Sequence, residues 1–155
     1  MLRPAVFVDR DGTLIEETGG YLRRLDQLVL FPWTVDAVRL LTQAGFATVG
    51  ITNQSAVGRG IITEAFLGEV HAALDARLAP GGARIERYYY CPHHPDATID
   101  RYRRSCDCRK PGSALIAQAC VELGLDPSRS WMVGDTWRDV QSGRLAGTRT
   151  ILLRT

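Results

Sequence analysis

Short apolar runs alternate with amphipathic stretches along this chain. Ala5 to Val8 is wholly apolar and ends in charge, as a buried parallel strand does. Val35, Val38 and Leu41 recur at helical spacing, which predicts a helix over 34–44 that Gly45 ends. Phe46 to Ile51 predicts a second strand, breaking into the polar Thr52-Asn53-Gln54-Ser55. Thr63 is placed to cap a helix whose apolar face is Leu67, Val70, Leu74 and Leu78, and Pro80-Gly81-Gly82 stops it. Ile85 to Tyr90 predicts a third strand, and residues 91–108 show no clear period. A helix over 114–123 with Gly124 behind it, a strand over 131–133, a helix over 138–146 and a strand over 148–153 complete the pattern.

Strands alternating with helices predict βαβ units. The expected fold is α/β: a doubly wound, mainly parallel sheet with helices on both faces. Ligands of such sheets bind beyond the carboxyl ends of the strands. Three polar clusters fall there: Asp9-Arg10-Asp11 after the first strand, Thr52-Asn53 after the second and Asp135 after the fourth.

Length and composition bound the reading. At 155 residues the chain is expected to be one compact domain, with no repeat, linker or low-complexity tract. No apolar run approaches the roughly 18 residues of a membrane span. The N-terminus runs straight into a strand with no signal peptide, so a cytoplasmic protein is expected. A net charge of +2 is too small to argue for nucleic acid, and the arginines are spread along the chain without an aromatic platform. Of 19 basic residues only Lys110 is lysine, which marks it as a position where arginine's planar fork does not serve.

The clusters at the sheet edge suggest phosphoryl chemistry. Carboxylates gathered at one point repel unless a cation or proton lies between them. Asp9, Asp11 and Asp135, with Asp139 nearby, suit Mg²⁺, a hard ion that takes oxygen ligands. Thr52, Asn53 and Lys110 supply hydroxyl, amide and ammonium donors for a phosphoryl group.

Asp9-x-Asp11-Gly-Thr, Thr52-Asn53, Lys110-Pro111 and Gly134-Asp135-x-x-x-Asp139 resemble the four motifs of the haloacid dehalogenase (HAD) superfamily of phosphohydrolases, in order and approximate spacing. The resemblance implies that Asp9 is the nucleophile and Asp11 the acid and base. It implies that Mg²⁺ is held by Asp9, the main-chain carbonyl of Asp11, and Asp135. Thr52 and Lys110 would stabilise the transferring phosphoryl group. Asp139 would orient Lys110 or a water on the metal.

The aperiodic segment carries a second metal signature. Cys91, Cys106 and Cys108, with either His93 or His94, offer three thiolates and an imidazole for tetrahedral Zn²⁺. Four protein ligands leave no open position, so a structural ion is expected, ordering a loop over about 91–108 that feeds into Lys110. Cys120 stands apart and reads as a buried core thiol.

Gly20-Tyr21, Thr52-Asn53-Gln54-Ser55, Arg59-Gly60, Cys91-Pro92-His93-His94-Pro95 and Cys106-Asp107-Cys108-Arg109-Lys110-Pro111 together resemble the D-glycero-D-manno-heptose 1,7-bisphosphate 7-phosphatase family. Histidinol-phosphate phosphatases, with a similar zinc loop, are the alternative. A catalytically silent zinc-stabilised binding module is the rival from another class. The resemblance favours His93 as the fourth zinc ligand. It implies a monomeric enzyme acting on a small sugar phosphate, contacted by Gly19, Gly20, Tyr21, Asn53, Gln54, Ser55 and Arg109, with Arg59 for the far phosphate. It implies no large cap domain, and one sheet face less covered than in relatives that continue past the last strand.

Overall fold

The computed structural model describes residues 1–155. Five strands, β1 (Ala5–Val8), β2 (Ala47–Asn53), β3 (Arg87–Cys91), β4 (Trp131–Gly134) and β5 (Arg149–Leu152), form one sheet in the order β3-β2-β1-β4-β5. Every pairing is parallel. The helices are α1 (Thr34–Gln43), the single turn α2 (Ser55–Gly58), α3 (Glu64–Leu78), α4 (Ala114–Leu123) and α5 (Trp137–Leu145). The doubly wound α/β architecture is as the apolar pattern predicts, and no large cap interrupts it.

Side chains alternate across a strand, so each strand feeds two cores. On β1, Ala5 and Phe7 join Val49, Ile51, Ile116 and Met132 beneath α4. Val6 and Val8 join Val38, Val70, Leu74 and Leu78 beneath α1 and α3. Phe7, Ile51, Ile116, Leu74 and Leu78 are wholly enclosed, and burial of each contributes about 1.5–3 kcal/mol. The caps act as read: Thr63 accepts from the Phe66 amide at the start of α3, and Gly124 ends α4 at φ 64°.

The strand order reverses at β1. The chain passes from β1 outward to β2 and β3, then returns to lay β4 and β5 on the other side. The crevice this leaves beyond the ends of β1 and β4 is where a doubly wound sheet binds ligand.

Some boundaries differ from the expectation. β2 runs on through Thr52 and Asn53, which pair with Tyr90 and Cys91. Backbone pairing continues there whatever the side chains, so these polar residues are the last rungs of the strand. Ser55, read as the end of a polar break, opens the helical turn Ser55–Gly58. Cys120 is half-buried against the core's rim. The α1 face is less covered past β1: Trp131 and Val133 are half-buried, while Met132 on the opposite face is enclosed.

Candidate active site

β1 delivers Asp9 to the crevice, and the Asp9 amide donates to the Val133 carbonyl of β4 at 3.0 Å. The chain then turns tightly, with the amides of Thr13, Leu14 and Ile15 all donating to the Arg10 carbonyl. Gly12 sits in this turn at φ 80°, and a Cβ on it would lie 2.2 Å from Asp135 Oδ2. Only glycine lets the two acidic loops approach this closely. Gly134 has the same role, since its Cβ would meet the Asp139 carboxylate at 2.2 Å.

Lys110 is 3% exposed, and its ammonium donates to Asp9 Oδ1 at 2.7 Å, Asp139 Oδ1 at 2.6 Å and the Ile51 carbonyl at 2.8 Å. Three donors meet three acceptors, so the charge is fully satisfied. Asn53 fixes the lysine backbone from both sides, accepting from its amide at 2.8 Å and donating to its carbonyl at 3.1 Å. Burial alone would lower the Lys110 pKa. The Asp9 and Asp139 charges together outweigh burial and raise it.

Asp139 spends its other oxygen on the Thr136 amide and hydroxyl, completing a capping box at the start of α5. Asp135 differs: its Oδ1 is buried and has no protein partner. Carboxylate oxygens of Asp9, Asp135 and Asp139 lie within 4.8 Å of one another. Burial, reinforced by the Asp139 and Asp11 charges against Lys110, pushes the Asp9 carboxyl up to about 8. A bound cation would reverse this by favouring the ionised form. The Asp11 carbonyl takes none of the turn's backbone hydrogen bonds. Asp9, Asp135 and that carbonyl therefore offer an oxygen set suited to Mg²⁺.

The Asp11 carboxylate is held from one side by Arg10, through Nε to Oδ1 and Nη2 to Oδ2, both at 3.1 Å. From the other side Gln54 donates to Oδ2 at 3.2 Å and to Thr52 Oγ1 at 2.9 Å. Asp11 lies on the border of two adjoining cavities. One, of about 270 Å³, is lined only by polar residues, including Asp9, Thr52, Arg109, Lys110, Asp135 and Asp139. The other, of about 200 Å³, is lined by Gly20, Tyr21, Leu22, Gln54 and Ala56 among others. Asn53, Ser55 and Glu17 also line both.

Two expected contact residues stand elsewhere. Gly19 does not line either cavity, and Arg59 packs against the His94 ring, with Nη2 3.2 Å from Nδ1. Arg109 lines the polar cavity with a buried, unpartnered Nη1. Sequence reasoning missed Glu17, Thr136 and Arg138 on the wall, and Arg10 behind Asp11. The signal for Thr136 was available in Thr136-x-x-Asp139, a capping-box spacing.

The residues expected to hold zinc also converge. Cys91, Cys106 and Cys108 sulfurs lie 2.9–3.4 Å apart, and His93 Nδ1 lies 3.2 Å from Cys108 Sγ and 3.6 Å from Cys91 Sγ. Tetrahedral Zn²⁺ bonds of about 2.0–2.3 Å imply ligand separations of roughly 3.3–3.8 Å, so the cluster needs little expansion to hold the ion. His94 stays outside, its Nδ1 accepting from the Asp96 amide at 3.0 Å. The cluster is tied to the cavity at both ends: Cys91 is the register partner of Asn53, and Cys108 lies two residues before Lys110.

Comparison with known proteins decides the family. A HAD-hydrolase-like family model matches residues 107–155. The chain is 42% identical over 154 residues to the D-glycero-beta-D-manno-heptose-1,7-bisphosphate 7-phosphatase of Photorhabdus laumondii, spanning 98% of this chain and 81% of that protein. It belongs to this family of HAD phosphatases. The namesake enzyme of Escherichia coli K12 is 40% identical over 153 residues, spanning 98% and 80%. Among solved structures, a D,D-heptose 1,7-bisphosphate phosphatase from B. bronchiseptica, complexed with magnesium and phosphate, superposes with a TM-score of 0.87 at 30% identity, covering 96% of this chain and 79% of that one. The chain is a phosphatase, and its crevice at the β1/β4 switch point is where that family membership and the local chemistry meet.

Proposed function

We propose that the enzyme removes the 7-phosphate of D-glycero-D-manno-heptose 1,7-bisphosphate in a magnesium-dependent reaction through an aspartyl-phosphate on Asp9. The observation that carries this is the buried Asp9–Lys110–Asp139 array facing the unpartnered Asp135 oxygen across a wholly polar cavity. The names of the relatives support the substrate. The whole chain acts as one phosphatase domain and as a monomer. The close-packed free thiols fit a reducing compartment, the cytoplasm.

In the first half-reaction an Asp9 carboxylate oxygen attacks phosphorus. The bond from phosphorus to the sugar oxygen breaks as the Asp9–phosphorus bond forms. Asp11 gives its proton to the departing sugar oxygen. Its place between the two cavities suits this, since the bridging oxygen must lie between phosphoryl group and sugar. In the second half-reaction the Asp11 carboxylate takes a proton from water. The water oxygen attacks phosphorus, the Asp9 bond breaks, and phosphate and free Asp9 result. Thr52 and Lys110 balance the charge of the transferring group, and Asp139 holds Lys110 in place.

Asp9, Asp135 and the Asp11 carbonyl would hold Mg²⁺, which when bound supplies positive charge to the phosphoryl oxygens and keeps the carboxylates ionised. Gly20, Tyr21, Asn53, Gln54 and Ser55 surround the sugar, with Gly19 in the same loop, and Arg109 receives the far phosphate. Arg59 supports that wall by packing on His94. Cys91, His93, Cys106 and Cys108 would hold a structural Zn²⁺, which would anchor the loop carrying Arg109 and Lys110. Arg104 lies 2.8 Å from His93 Nε2 and can only donate, so it would have to withdraw if an ion held through Nδ1 left the ring proton on Nε2.

The test is phosphate release from the α and β heptose bisphosphates and from histidinol phosphate, with magnesium. We expect the β heptose substrate to have the highest kcat/KM and Asp9→Asn to abolish turnover in a folded protein. A preference for histidinol phosphate would overturn the substrate and leave the chemistry standing. Wild-type rates in Asp9→Asn would overturn the nucleophile.

A further inference from the structure

Behind the acid–base carboxylate lies a chain of contacts, buried at Arg10 and His71, that the reaction does not use directly. Arg10 is 3% exposed and spends Nε and Nη2 on Asp11. Its remaining terminal nitrogen, Nη1, lies 3.3 Å from His71 Nε2. A guanidinium can only donate, so Nε2 must accept, and the His71 ring is neutral with its proton on Nδ1. Burial and the Arg10 charge act the same way, pushing His71 down to about 3.

The imidazole is itself fixed. It stacks on the Tyr88 ring at 4.2 Å with 12° between the planes. Tyr88 donates its hydroxyl to Asp75 Oδ1 at 2.8 Å. His71 and Asp75 are four residues apart on α3, so one helix face grips the tyrosine twice. Beneath the tyrosine, Gly50 is its register partner on β2, and a Cβ there would lie 2.6 Å from the Tyr88 ring. The arrangement runs from β2 and β3 through α3 to the loop after β1.

We propose that His71 is a positioning residue: by accepting from Arg10 it sets the guanidinium that aims Asp11 at the bridging oxygen of the substrate. The proposal rests on Asp11 as the proton donor. A carboxyl aimed by two parallel hydrogen bonds is only as well placed as the guanidinium that makes them. Arg10 is a long side chain with a free terminal nitrogen, and His71 is what fixes that end.

Proton donation matters in proportion to how poor the leaving group is. A sugar alkoxide needs the proton as the ester bond breaks, whereas p-nitrophenolate departs without one. The experiment compares His71→Leu and His71→Gln with the parent enzyme on the heptose bisphosphate and on p-nitrophenyl phosphate, both with magnesium. Leucine fills the space and removes the acceptor; glutamine places an amide oxygen near Nε2. For His71→Leu we expect kcat/KM on the sugar substrate to fall about tenfold or more. On p-nitrophenyl phosphate we expect kcat/KM, which covers the steps up to leaving-group departure and so excludes the water step, to stay within about twofold, and glutamine to recover most of the loss on the sugar substrate. Should His71→Leu be insoluble, His71→Asn, whose amide falls short of Arg10, carries the same expectation. Equal losses on both substrates, or none, would overturn the proposal. Asp11→Asn is measured alongside. If it lacks the leaving-group selectivity, the proton-donor reading fails and takes the proposal with it. If it shows the selectivity and His71→Leu does not, only the proposal fails.

Discussion

Replacing Lys110 with methionine isolates the charge at the centre of the site. The stem volume is nearly kept, so little cavity energy is lost. The loss is electrostatic. Asp9 and Asp139 have side chains 12% and 2% exposed and both depend on this ammonium. Asp139 retains the Thr136 donors, but Asp9 is left with no side-chain hydrogen bond. Removing one partner of a buried ion pair costs about 3–5 kcal/mol. For a domain of this size that is a fall in Tm of roughly 6–20 °C. The cost must also depend on pH. Burial already raises Asp9 above its ordinary value, and without Lys110 nothing opposes that. A carboxyl with a raised folded pKa contributes stability that is present at acid pH and lost as pH rises. The deficit should therefore be smaller near pH 5 than near pH 8. Urea denaturation of both proteins at the two pH values, in magnesium-free buffer without chelator, measures it. Coincident urea midpoints at pH 8 would refute the reasoning, since the buried array would then contribute nothing. Turnover should fall by at least about a hundredfold.

Gly12→Ala combines a left-handed backbone with a Cβ placed 2.2 Å from Asp135, so it should displace that carboxylate. We expect the magnesium concentration for half-maximal activity to rise about tenfold or more; an unchanged magnesium titration would show that Asp135 is free to move. Stripping zinc should lower both Tm and activity, releasing about one equivalent per chain to a colorimetric chelator. Unchanged melting after complete removal would contradict a structural role. Finally, His71 is buried neutral with its pKa pushed down to about 3, so the stability it contributes is present above about 6.5 and lost as pH falls toward 3. His71→Gln, which does not titrate, should lose less stability than the parent between those limits in a urea series; parallel curves would contradict the burial.

The strand ends and their acidic residues were legible because apolar runs and polar breaks are local signals. Asp9 and Asp135 meet as the alternation of strands and helices implied. The Cys/His cluster was legible from composition and spacing, and His93, not His94, stands with the three cysteines. The supporting contacts were harder to read. Arg10 was hidden inside the Asp-x-Asp motif, where the flanking carboxylates draw attention. His71 sits one turn beyond Leu67 on the buried face of α3, and a histidine within an apolar stripe was the available sign. Its partner lies 61 positions away, however, and no local period reports a contact of that range. β2 was read two residues short because polarity was taken as a strand end, while hydrogen bonding to β3 decided the matter.

The burial of Lys110 has a practical consequence. It is the only lysine in the chain, and in the native state its amine is enclosed with all three hydrogens engaged. Amine-reactive reagents that target lysine therefore have one side chain to find, and they reach it when its burial and hydrogen bonds give way. The rate at which that residue acquires a label, followed by mass spectrometry of a single peptide, becomes a direct clock for opening of the active site. Ligands that bind over Lys110 should slow the clock without any engineered probe.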